Sequence, residues 1–169
     1  MWMVSVLLLI LMFLLTCSAH VTTMDRPLRP CDPETTTNPF YSYHIHVLFW
    51  QTNANSTGAA LALRDSFAKE FNVRQDCPIE AKDPAPEQRT ICSFGVDMEP
   101  AGPFLTAQWS FFIPKGYYRF SETVEFIMQN RGTLDSFIHP NSGCTTKDHS
   151  DWSLWGGTKW ELDSSIFSS

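Results

Sequence analysis

The run Tyr43-His44-Ile45-His46-Val47-Leu48-Phe49-Trp50 is apolar except for two imidazoles, which stand at alternate positions. Successive side chains of a strand point to opposite faces, so His44 and His46 share one face while Tyr43, Ile45, Val47 and Phe49 share the other. A strand of this kind buries its apolar face and presents two ring nitrogens side by side on the other. Paired neutral imidazoles in apolar surroundings suit a zinc, iron or copper ion. Taken alone, His-x-His in a strand is more often an ordinary hydrogen-bonded pair, so the rest of the chain must supply further ligands.

The pattern around this strand predicts a small sheet with helices. Asn53 to Gly58 reads as a loop, and Ala59 to Phe71 places Ala60, Leu63, Phe67 and Phe71 at helical spacing. Pro78, Pro84 and Pro86 break regularity before a second strand from about Arg89 to Val96. Phe104 to Ile113 reads as a third strand with Leu105, Ala107, Trp109, Phe111 and Ile113 on one face. Its other face carries Phe104, Thr106, Gln108 and Ser110, which places that face in solvent or along a cleft. Ser121 can cap a second helix with Val124, Ile127 and Met128 facing inward and Gly132 as its stop, and Thr133 to His139 is a final strand.

Strand, helix, strand, strand, helix, strand is the ferredoxin-like α+β order, two helices on one face of an antiparallel sheet. In that topology the first and last strands are antiparallel neighbours, which brings His139 beside His44. His149 follows closely, so His44, His46, His139 and His149 gather at one end of the sheet, the usual composition of a transition-metal site.

Residues 1–19 carry a nearly unbroken apolar run, Trp2 to Leu15, then the small residues of a cleavage site, and read as a secretory signal peptide. The run is short of the roughly 20 apolar residues of a spanning helix, so no membrane association is expected after its removal. Residues 20–39 read as an extended Thr- and Pro-rich arm, 40–160 as one domain and 161–169 as a tail. An exported chain keeps disulfides, and loss of Cys17 with the signal leaves Cys31, Cys77, Cys92 and Cys144, with three possible pairings. The ferredoxin-like geometry brings Cys31 toward Cys144 and leaves Cys77 and Cys92 to close the proline-rich loop. Asn55-Ser56-Thr57 is an N-glycosylation acceptor. A net charge of -6 with no Lys/Arg cluster argues against a nucleic-acid partner.

Tyr43-His44-Ile45-His46-Val47, Asn130-Arg131-Gly132-Thr133-Leu134, His139-Pro140-Asn141-Ser142-Gly143, Asp148-His149 and Leu154-Trp155-Gly156-Gly157 fall in order along residues 40 to 157. This series resembles the DOPA 4,5-dioxygenase family of fungal and bacterial type. The resemblance implies a ferredoxin-like domain that uses non-haem iron(II), with zinc as a substitute in isolated protein, to open a catechol ring with dioxygen. It implies His44, His46 and His139 as metal ligands and His149 as an acid/base or substrate-binding group. Trp50, Phe137 or Trp152 could line the substrate site. Family members usually carry Gly-Pro-His-Pro where this chain has Gly102-Pro103-Phe104-Leu105, and a phenyl ring neither ligates nor transfers protons. The alternative is therefore a secreted, non-catalytic relative that binds metal or catechol. Asp135 is a candidate compensating ligand and Asp148 a candidate partner for a histidine.

Overall fold

The computed structural model describes residues 31, 40–75, 77 and 90–167. The signal peptide expected at 1–19 and, apart from Cys31, the arm at 20–39 lie outside them. The elements run β1 (Ser42–Phe49), α1 (Ala54–Glu70), β2 (Cys92–Asp97), β3 (Ala107–Pro114), α2 (Phe120–Asn130), β4 (Asp135–Asn141), α3 (Thr145–His149) and β5 (Leu154–Gly156), followed by a 3-10 turn at Ser164–Ile166. The sheet order is β2-β3-β1-β4-β5, and every pairing is antiparallel. The expected ferredoxin-like α+β arrangement is present, with α3 and β5 added after it.

The strand alternation divides the side chains as the sequence implies. Ile45, Val47 and Phe49 of β1 join Trp109, Phe111 and Ile113 of β3 beneath Ala60, Leu63 and Phe67 of α1 and Ile127 of α2. Full burial of each large apolar side chain contributes about 1.5–3 kcal/mol. The Trp109 indole N–H, costly to bury unpaired, donates to the Ala60 carbonyl at 2.8 Å. Leu48, Phe104 and Phe137 form a smaller cluster with Trp155, Trp160 and Leu162.

Several boundaries differ from expectation. α1 starts at Ala54, because the Asn53 side chain accepts from the amides of Asn55 and Ser56 and caps it. The glycosylation acceptor thus occupies the first turn of a helix, with Asn55 exposed. α2 begins at Phe120 without a capping side chain, and Arg119 at its N-cap instead pairs with Glu70 and Glu122. Met128 is 69% exposed and Leu105 58% exposed, the latter because β3 starts only at Ala107. Among the described residues no helix is long and apolar enough to cross a membrane.

Both disulfides form as the topology suggested, Cys31–Cys144 and Cys77–Cys92. The C-terminal residues are tied to β4 through Asp135, whose carboxylate accepts from the Thr158 amide at 2.7 Å and the Trp160 indole at 2.8 Å. Gly157 sits directly against that carboxylate with φ +95°. A Cβ there would strain the backbone and press on Asp135 Oδ1, so Gly157→Ala is expected to destabilise the fold by roughly 2–3 kcal/mol. Thermal unfolding followed by circular dichroism checks this, and an unchanged midpoint contradicts it.

Candidate metal centre

The β1–β4 ladder sets His44 directly opposite His139 and His46 opposite Phe137. All three imidazoles are buried, on the sheet face away from α1 and α2. One ring nitrogen from each of His44, His46 and His139 lies within 4.8 Å of the other two. The Nε2 atoms of His46 and His139 are 3.2 Å apart.

The partners of the opposite ring nitrogens give this approach its meaning. His139 Nδ1 is 2.8 Å from the Pro140 carbonyl oxygen, and His46 Nδ1 is 2.6 Å from Gln108 Oε1. Carbonyl oxygens only accept, so both Nδ1 atoms carry the proton, and in the neutral rings both Nε2 atoms present lone pairs. Two lone pairs facing each other at this distance in a buried site repel unless a proton or a metal ion lies between them. Ligands at about 2.0–2.1 Å from one ion stand about 2.8–3.4 Å apart across octahedral to tetrahedral angles. The donor set therefore fits a metal ion. Burial holds the His139 pKa well below the ordinary histidine value, and the neighbouring His149, His44 and His46 lower it further against the opposing hydrogen bond to Pro140. A neutral ring is the form that ligates.

His149, the last residue of α3, packs against His139 with ring centroids 4.0 Å apart, and Phe167 covers it at 4.6 Å. It adjoins the three clustered nitrogens without joining their group. Its Nδ1 donates to the Thr145 carbonyl at 2.9 Å, which leaves Nε2 as the basic nitrogen, and burial lowers its pKa. Phe137 packs against His46, His139 and His149. Trp50 instead pairs with Trp160, and Trp152 with Phe40 and Lys147. Phe104 stands against the His46 ring at 4.6 Å, so the position that departs from the family pattern adjoins the centre.

Each of the two carboxylates considered from the sequence holds a neighbouring segment in place. Asp135 holds the C-terminal segment, and Asp148 accepts from the Ser142 amide at 3.0 Å and hydroxyl at 2.7 Å, which fixes the turn before α3. Gln108 and Asp97 are the neighbours that sequence reasoning missed. Gln108 stood on the polar face of the third strand, and that polarity was its only signal. Asp97 was hidden because its facing depends on a bulge in β2.

A sequence model of the Dopa 4,5-dioxygenase family matches residues 43–166. A DOPA 4,5-dioxygenase of Amanita muscaria is 29% identical over 121 residues, 72% of this chain and 47% of the relative. The chain thus spans about half the length of that relative. The crystal structure of "a putative dioxygenase" from Nostoc punctiforme superimposes with a TM-score of 0.56 at 23% identity, covering 73% of this chain and 88% of that one, a likeness of fold. With the family match extending from the imidazole-bearing first strand to the 3-10 turn, the chain belongs to the Dopa 4,5-dioxygenase family.

Proposed function

We propose that this chain is an exported extradiol dioxygenase that opens the ring of DOPA or a related catechol, with iron(II) held by His44, His46 and His139. The observation that carries the reading is the facing pair of lone-pair nitrogens on His46 and His139, with a ring nitrogen of His44 beside them. Family membership supplies the reaction class. Iron(II), when bound, offers open positions for catechol oxygens and dioxygen. The protein's own contribution is acid/base and steric. His149 Nε2 takes a proton from a catechol hydroxyl and returns it later in turnover; the lowered pKa keeps this nitrogen unprotonated at neutral pH. Phe137 and Phe104 exclude water from the imidazoles. Two disulfides support an oxidising, extracellular setting.

A second reading is a secreted binding module without turnover, favoured by the Phe104 ring against His46 where the family pattern has a histidine. The purified protein, loaded anaerobically with iron(II) and mixed with DOPA and then air, separates the two. A yellow ring-opened product formed with equimolar oxygen uptake supports the dioxygenase. Stoichiometric metal without product, and product gained on Phe104→His, supports the binding module. A chain that takes up neither metal nor catechol overturns both.

A further inference from the structure

We propose that Asp97 and Gln108 act as positioning residues for His46, fixing its tautomer so that Nε2 is the nitrogen offered to a metal. The inference rests on the metal-binding reading above for its consequence, though not for its geometry. Asp97 Oδ2 is 2.8 Å from Gln108 Nε2, and Gln108 Oε1 is 2.6 Å from His46 Nδ1. A carboxylate only accepts, so the amide must turn its NH2 to Asp97. Its oxygen then faces His46, whose Nδ1 must be the protonated nitrogen. Inverting the amide would set its oxygen against the carboxylate, and Gln108 is only 4% exposed, so water cannot relieve the mismatch.

The fold spends a backbone irregularity on this arrangement. Ser93 faces Phe111 and Asp97 faces Gln108, four steps along β2 against three along β3, and the register shifts between Ser93 and Gly95. Gly95 lies at φ +98°, the positive region that favours glycine. Strict alternation from Ser93, which reaches Arg64 of α1, would leave Asp97 on the helix-covered face. The extra residue moves Asp97 to the imidazole face beside Gln108 and lets Val96 join the core. It also leaves Phe94 against the His44 ring at 5.0 Å. Such bulges re-aim side chains beside functional sites.

Long-range 1H–15N correlation spectra of the metal-free protein report which nitrogen of His46 is protonated, and Zn2+ titration against a chromophoric chelator reports affinity. The wild type is expected to show the proton on Nδ1. Asp97→Asn can donate its amide to Gln108 Oε1 and so permits the inverted Gln108. It is expected to move the proton toward Nε2 and to weaken Zn2+ binding by about 10–100-fold. In the double variant Asp97→Asn/Gln108→Glu the carboxylate and amide exchange places. The carboxylate now at position 108 only accepts, so the Nδ1 proton and near-wild-type affinity should return, which a merely space-filling pair would not produce. A wild-type His46 protonated on Nε2, an Asp97→Asn protein unchanged in both readouts, or a double variant as weak as the single one overturns the relay. A wild type that binds no Zn2+ counts against the metal reading alone, since the spectra judge the relay without metal.

Discussion

Replacing His139 by alanine is expected to abolish stoichiometric metal binding and reduce catechol ring cleavage to background. His139 is the convergence point: its Nε2 faces that of His46 at 3.2 Å, its Cα pairs with that of His44 across the ladder, and its ring packs against His149. Losing an orienting neighbour of a ligand typically weakens a site about 10–100-fold, and loss of the ligand itself should exceed that. The same variant has a thermodynamic signature independent of turnover. Metal bound only by the folded state stabilises it by about 4 kcal/mol at a thousandfold excess over Kd, so adding metal should raise the wild-type unfolding midpoint and leave that of His139→Ala unmoved. His149→Ala is the contrasting case, expected to keep the metal-dependent shift and lose turnover. A His139→Ala protein that still binds one metal per chain and cleaves catechol would remove the ligand assignment.

The alternation of β1 placed two of the three imidazoles of this group, because a period of two leaves no freedom about which side chains share a face. His44 and His46 had to stand together, and the antiparallel neighbour in a βαββαβ order had to bring His139 beside them. Topology also foreshadowed the pairing of Cys31 with Cys144. What the sequence hid were features that break periodicity. The Gly95 bulge moves Asp97 across the sheet, and no count of alternating residues reveals one inserted residue. The cap at Asn53 draws α1 back over a stretch whose Asn, Ser, Thr and Gly content reads as loop, since those residues satisfy helix-terminal amides as readily as turns. Asp135 invited a ligand role by standing on the same strand face as His139. Its carboxylate meets Thr158 and Trp160, partners far along the chain whose position only the assembled fold determines.

Removing the Cys31–Cys144 bond with the double substitution Cys31→Ser/Cys144→Ser is expected to lower stability by about 4–5 kcal/mol. The bond spans 113 residues and encloses the βαββαβ unit, and a crosslink over roughly 100 residues restricts the unfolded chain by about 4.7 kcal/mol on the chain-entropy view. Cys77–Cys92 spans 15 residues, for which the same view gives about 3 kcal/mol. The unfolding midpoint should therefore fall further for the long crosslink than for Cys77→Ser/Cys92→Ser, by roughly 2–4 °C for each kcal/mol. A reversed order in denaturant titration would show that native-state contacts, not loop closure, set the contribution. The consequence for the centre differs from that for the fold. Cys144 is the N-cap residue of α3, whose last residue is His149, whereas His44, His46 and His139 are held by the β1–β4 ladder. The serine variant, kept well below its midpoint, should then bind metal as tightly as the wild type while its turnover falls with the loosened hold on His149. Loss of metal from the folded serine variant would mean that the crosslinked end of α3, rather than the ladder, assembles the three imidazoles.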